Sequence, residues 1–221
     1  MTEKLETIAF NTAPTPQACV IWLHGLGASA DNFVPMVSQL QLPQRLAVRF
    51  VFPQAPVQPV TINLKHSMPA WYDVFGLALT SKQDEAGIRR AEAQLRQLIQ
   101  SEIAAGISSD KIILAGFSQG GALVLHTALR YSQRLAGVIA LSAYLPLADL
   151  LADEINNANR YLPVLLAHGN ADSVLPQAAS EMSRAYLEKL GCSVTFKTYN
   201  MAHQVCDEEI IDIAIWMQQV L

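Results

Sequence analysis

Cysteine is scarce in this chain of 221 residues, and what the sequence lacks narrows its chemistry before any motif is read. Three thiols, Cys19, Cys192 and Cys206, have neither the even count of a disulfide framework nor the spacing of a metal site, so reduced and mostly packed thiols are expected. Charge is sparse too, at 15% of residues with a formal net charge of −4. The scattered lysines and arginines supply no basic surplus for a phosphate backbone, which argues against nucleic acid as a partner. No apolar run approaches the roughly 20 residues needed to cross a bilayer. Nor does Met1-Thr2-Glu3-Lys4-Leu5-Glu6 show a basic segment followed by an apolar one, so a soluble, cytoplasmic protein is expected. Repeats, low-complexity tracts and Gly/Ser linkers are missing, which predicts a single domain over residues 1–221. What is present is 51% hydrophobic residues, enough for a substantial core.

Those apolar residues fall in runs that alternate with segments of helical period. Cys19 to Leu23, Arg49 to Phe52, Ile112 to Phe117, Gly137 to Leu141, Val164 to Ala167 and Ser193 to Tyr199 read as strands. A helix begins near Asp84, carries Ile88, Ala91, Leu95, Leu98 and Ile103, and stops at Gly106. Another runs from Gln177 to Leu190, with Ala179, Met182, Tyr186 and Leu190 on one face, and a further one takes Asp31 as its N-cap. The last helix follows Asp207, Glu208 and Glu209, acidic residues that suit a first turn. Continuous apolar strands separated by helices predict an α/β fold, a mostly parallel sheet covered on both faces. One long irregular stretch, residues 54–82, has the length of a functional loop.

Chemistry concentrates first at Gly116-Phe117-Ser118-Gln119-Gly120. The bare G-x-S-x-G pattern arises by chance in roughly one chain in fifteen of this length. Here, however, it joins an apolar strand to an apolar helix, the context of a nucleophile elbow that lifts a serine above the sheet at a helix N-terminus. Ser118 is therefore the candidate nucleophile, and the Gln119 amide a candidate oxyanion donor.

A serine needs a general base, and the base needs a carboxylate to fix its tautomer. Five histidines compete. His126 lies within the helix after Ser118, His66 in the long loop, and His24 before the serine. In this fold the order is serine, acid, histidine, leaving His168 and His203. His168 precedes any suitable acid; His203 sits between the last strand and the last helix, at the carboxyl edge of the sheet. For the acid, Asp172 follows the strand ending at Ala167, whereas Asp149, Asp153 and Glu154 sit in a polar connection and Asp207 and Asp212 come too late. The second oxyanion donor is expected in His24-Gly25-Leu26-Gly27, after the first apolar strand, with the Leu26 amide in that role. His24 itself reads as structural, since no other ligand type stands near it at metal spacing.

Taken together these residues resemble the carboxylesterase and acyl-protein thioesterase family of small α/β-hydrolases. The likeness rests on Trp22-Leu23-His24-Gly25-Leu26-Gly27, Pro53-Gln54-Ala55-Pro56, Met68-Pro69-Ala70-Trp71-Tyr72-Asp73, the Ser118 elbow through Ala122, and His168-Gly169-Asn170-Ala171-Asp172. The resemblance implies the α/β-hydrolase fold, a Ser118-Asp172-His203 triad, the amides of Leu26 and Gln119 as oxyanion hole, and hydrolysis of small-molecule esters or thioesters with no cofactor and no metal. Two departures stand out: Ala28 where the family often has Asp, and Ala202 where it often has Gly before the histidine.

With no inserted helical domain the site is expected to be open and shallow, suited to short and medium acyl chains. Met68, Trp71, Tyr72, Phe75, Leu77 and Leu79 are the candidate acyl-binding wall, though residues of this kind serve equally in a core or a homodimer contact. A lysophospholipase or protein-depalmitoylating thioesterase of the same fold, or a binding protein that has lost turnover, are the competing readings.

Overall fold

In the computed structural model, residues 4–76 and 81–221 are described. Strand β1 (Thr7–Asn11) lies antiparallel to β3 (Val48–Pro53), which runs parallel to β2 (Ala18–Leu23). On the other side of β2 the sheet continues in parallel through β6 (Ile112–Phe117), β7 (Gly137–Leu141), β8 (Pro163–Gly169) and β9 (Ser193–Tyr199). The order β1-β3-β2-β6-β7-β8-β9 reverses direction between β2 and β6. Loops leaving the carboxyl ends of those two neighbours diverge there, opening a crevice where ligands bind in open α/β sheets.

Alternation along the central strands sends Cys19, Ile21 and Leu23 to one core and Ala18, Val20 and Trp22 to the other. The first core is covered by α2 (Glu85–Ala104), α3 (Gln119–Arg130), α4 (Ala148–Glu154) and α5 (Gln177–Lys189), and the second by α1 (Met36–Gln39) and α6 (Asp207–Val220). Side chains such as Leu95, Ile99 and Leu114 are excluded from water, each stabilising the fold by about 1.5–3 kcal/mol. Helix α2 begins where expected, with the Asp84 carboxylate accepting from the Gly87 amide, and it ends before Gly106 at φ 105°. The expected cap at Asp31 is corrected. Ser29 caps a short 3-10 turn over Ala30–Phe33, in which Asp31 is an early residue rather than the cap.

Residues 54–82 are less irregular than their sequence suggests, because β4 (Val57–Val60) pairs antiparallel with β5 (His66–Pro69). Helices α2, α3 and α4 are tied by a charged network. Glu92 accepts from Arg96 and approaches His126 Nε2 at 3.0 Å, and Glu154 bridges Arg89 and Arg130. Burial pushes the His126 imidazole below its ordinary value, and its Nε2 is committed to Glu92 of α2. It is a structural histidine.

Glu209, in the first turn of α6, is fully buried with neither carboxylate oxygen well hydrogen-bonded. Burial, only partly opposed by the Cys206 amide and reinforced by Asp212, pushes this carboxyl from the ordinary 4.5 up to about 8. Between those values the native chain holds a proton that the unfolded chain has released, so stability is greatest below the unfolded value and declines as pH rises towards 8. Glu209→Gln should flatten that decline by up to about 1.4 kcal/mol per pH unit. Denaturant unfolding at pH 5 and pH 8 measures it; equal slopes in both proteins would refute the assignment.

Candidate active site

Strand β6 turns into α3 through Ser118, whose backbone sits at φ 54° and ψ −117°. A non-glycine residue there is strained by about 1–3 kcal/mol and persists only where its surroundings enforce it. They do. A Cβ on Gly116 would lie 2.4 Å from the Gly120 carbonyl carbon, and one on Gly120 would lie 2.5 Å from the Leu23 carbonyl oxygen. Only glycines let strand, helix and the end of β2 approach this closely. The Ser118 amide donates to the Leu141 carbonyl at 2.8 Å, which fixes the elbow to β7.

His203 lies on the loop between β9 and α6, and its Nε2 is 2.9 Å from Ser118 Oγ. Its Nδ1 is 2.6 Å from Asp172 Oδ2, on the loop after β8. The Asp172 side chain is wholly buried, whereas His203 keeps 15% exposure, enough to meet a substrate. Burial by itself would raise the Asp172 carboxyl. The hydrogen bond from His203, the amides of Leu175 and Val174 and the nearby imidazole charge outweigh it and hold the carboxyl below its ordinary value. An ionised carboxylate only accepts, so Nδ1 carries the hydrogen and Nε2 is free to accept from Ser118. Phe117 packs its ring 4.8 Å from that of His203. Ala202 is not among the described residues with positive φ, so alanine fits this loop without backbone strain.

The loop after β2 lies against the serine: a Cβ on Gly25 would be 3.4 Å from Ser118 Cβ. Among the described residues no group accepts from the Leu26 amide. The Gln119 amide is the first of α3 and has no carbonyl one turn earlier to bond. His24 holds this loop. Its Nε2 accepts from the Ala55 amide at 3.1 Å, so Nδ1 bears the hydrogen and faces the Gly25 carbonyl at 2.8 Å.

A cleft of about 680 Å³ opens beside the serine, mid-range for small-molecule sites and larger than a shallow groove. Of the expected wall, Tyr72 and Phe75 line it, together with Leu145 and with Met182 and Tyr186, which the sequence placed on a helix face and not in the wall. Leu77 and Leu79 lie outside the described residues. Met68 and Trp71 are corrections. Met68 is in β5 with its sulfur facing Gly27, and Trp71 is buried with its indole N–H donating to the His24 carbonyl at 2.8 Å. Both support the loop that carries the Leu26 amide instead of facing substrate. The Gln119 side chain does similar work unannounced by the motif. It accepts from the Trp71 amide at 2.9 Å and donates to the Tyr72 carbonyl at 2.7 Å, clamping the cleft wall to α3.

The reversed parallel sheet, with its elbow after β6, is the α/β-hydrolase fold. Within that fold, the sequence model of the phospholipase/carboxylesterase family matches residues 6–221, and the chain belongs to this family of hydrolases. It is 42% identical over 202 residues to acyl-protein thioesterase 1 of Neurospora crassa, covering 87% of this chain and 82% of that one. Among solved structures it is similar to Zea mays acyl-protein thioesterase 2, with a TM-score of 0.87 and 28% identity over 97% of this chain and 98% of the other. Arabidopsis thaliana SOBER1 gives the same TM-score at 29% identity, over 91% and 98% of the two chains.

Trp71→Phe separates a loop support from an acyl wall. Losing the indole donor leaves the His24 carbonyl unpaired, at a cost of about 1–3 kcal/mol in denaturant unfolding. The ratio of activities on octanoyl and acetyl esters should stay as in the parent protein; a changed ratio with unchanged stability would put Trp71 back in the wall.

Proposed function

We propose that this chain is a serine hydrolase of carboxylic esters and acyl thioesters, with Ser118 as nucleophile, His203 as general base and then acid, and Asp172 as the orienting carboxylate. The observation that carries this is the unbroken relay from Ser118 Oγ through His203 to Asp172, at 2.9 and 2.6 Å. Both distances are within the reach of direct proton transfer.

Attack by Ser118 Oγ on the acyl carbonyl carbon sends its proton to His203 Nε2. The imidazolium that forms faces the buried Asp172 carboxylate, and the oxyanion meets the Leu26 and Gln119 amides, the latter at the positive end of α3. His203 then passes the proton to the departing alkoxide or thiolate, leaving an ester on Ser118. Water, deprotonated by the same Nε2, attacks that ester; the proton returns to Ser118 and the carboxylic acid leaves. Ala28, Asn32 and Gln204 line the end of the cleft near the β2 loop, the side we assign to the leaving group. The acyl chain takes the arm between Phe75, Leu145, Met182 and Tyr186. Thioester cleavage gains support from relatives that bear the name acyl-protein thioesterase. Three free cysteines, two of them buried, suit the reducing cytoplasm in which we place the protein.

Ser118→Ala should lower kcat on p-nitrophenyl esters by at least about 10³-fold and abolish labelling by a fluorophosphonate probe, while the far-UV spectrum is unchanged. Labelling that persists in this variant would refute the nucleophile. Along a series of acetyl, butyryl and octanoyl esters, kcat/KM should rise by up to about fourfold per methylene while the arm fills, since each buried methylene is worth about 0.8 kcal/mol. A rate on acetyl esters equal to that on octanoyl esters would rule out the acyl arm.

A further inference from the structure

Two fully buried histidines, His126 and His168, have no part in this mechanism, and of these His168 lies beside the triad acid. His168, the sixth residue of β8, is inaccessible to solvent and does not line the cleft. Its Nε2 is 2.8 Å from the Leu175 carbonyl and 3.2 Å from Asp172 Oδ2. Both are acceptors, so Nε2 carries a hydrogen; it is directed at the Leu175 carbonyl, with Asp172 Oδ2 beside the ring. On the other side of the ring, Nδ1 lies 2.6 Å from Ser180 Oγ on α5, a hydroxyl that also touches the Ala143 carbonyl. The series Ala143, Ser180, His168, Leu175, Asp172, His203 thus ties the end of β7, α5, β8 and the β9 loop together.

Both oxygens of the Asp172 carboxylate are held in this arrangement. Oδ1 accepts from the amides of Val174 and Leu175, both at 2.9 Å, and Oδ2 accepts from His203. The grip on Oδ1 lasts only while the 172–175 turn keeps its shape, and the Leu175 carbonyl of that turn is anchored by His168. We infer that His168 is a positioning residue for the reaction: its Nε2–H holds the Leu175 carbonyl, and with it the 172–175 turn whose amides aim the Asp172 carboxylate at His203. The inference rests on the triad reading above. His168 acts through Asp172 and touches no substrate, so its loss slows turnover and leaves substrate binding alone. A displacement of order 1 Å in a supporting group costs about 10²-fold in rate.

The test compares two amides of the same polarity. His168→Gln keeps a donor at the reach of Nε2, whereas His168→Asn reaches only as far as Nδ1 and its Ser180 contact. The expected result is that H168N loses about 10²-fold in kcat on a p-nitrophenyl ester with KM unchanged, while H168Q recovers most of it. The low-field proton resonance of the short His203–Asp172 hydrogen bond should be lost in H168N and kept in H168Q. Ser180→Ala, which leaves Nδ1 without its hydroxyl, should give a smaller loss of the same kind and serves if H168N does not fold. Equal activity in H168N and H168Q, or a change in KM instead of kcat, would overturn the inference. A parent protein that a fluorophosphonate fails to label would instead overturn the triad reading, and the inference with it.

Discussion

The structure depends on one crowded contact, the backbone of Gly116 against that of Gly120 across the turn from β6 into α3. Because strand and helix meet this closely, Ser118 is forced to φ 54°, and its side chain has no room inside the turn. Strain of this kind holds only if neighbours resist relaxation. Resistance comes from the Leu141 carbonyl gripping the Ser118 amide and from the Gln119 side chain, whose two hydrogen bonds fasten the segment Trp71–Tyr72 to the helix. The same contact aims the first amides of α3 at the space above the serine. The proposed nucleophile and oxyanion donor are therefore products of a single steric fact.

Around that turn the remaining pieces are held by buried polar groups with paired partners, not by apolar packing alone. His24 braces the β2 loop through both ring nitrogens, and Trp71 caps the His24 carbonyl. Asp172 is gripped on Oδ1 by two amides. A buried polar group that loses its partner is costly, so each such bond has few alternatives and specifies one geometry. Hydrophobic burial supplies most of the stability, whereas these bonds decide where the reacting atoms stop. Loops at the carboxyl ends of β2, β6, β8 and β9 can meet within tenths of an ångström because each is anchored this way.

How far the sequence revealed this follows from which signals are one-dimensional. The six parallel strands announce themselves as apolar runs, and the order of Ser118, Asp172 and His203 singles out the residues that the structure brings together. Strand β1 did not show, because its five residues are largely exposed and its apolar run is limited to Ile8-Ala9-Phe10. The β4–β5 hairpin was hidden by Pro59 and Pro69 within its strands and by a turn built on Leu64 and Lys65 at φ 55° and 61°, positions where glycine or asparagine would be the usual sign. Met68 and Trp71 were read as cleft wall because hydrophobicity tells that a side chain is covered, not what covers it. His168 was set aside in sequence because a histidine before the acid has no place in the proton relay; its contact with Asp172 exists only in three dimensions.

Helix α5 shows the same limit in a form that bears on function. Its apolar residues predict Ala179, Met182, Tyr186 and Leu190 as the buried face, yet the residues turned inward are Ala179, Ser180, Ser183 and Leu187, and Met182 is 61% exposed. The two serines can be buried because each hydroxyl is spoken for. Ser183 accepts from the Leu145 amide and donates to the Ala179 carbonyl, and Ser180 meets His168 and the Ala143 carbonyl. Turning those serines towards the loop after β7 rotates the helix so that Met182 and Tyr186 face the cleft. A polar inner face thus frees an apolar outer one, and the same helix braces the proposed acid through Ser180 while lining the cleft proposed for the acyl chain. Met182, unbranched and polarisable, can adapt to chains of different length, whereas the hydrogen-bonded side of the helix cannot move without disturbing Asp172. In the proposed reading, rigidity at the reacting atoms and compliance along the acyl chain come from adjacent faces of α5.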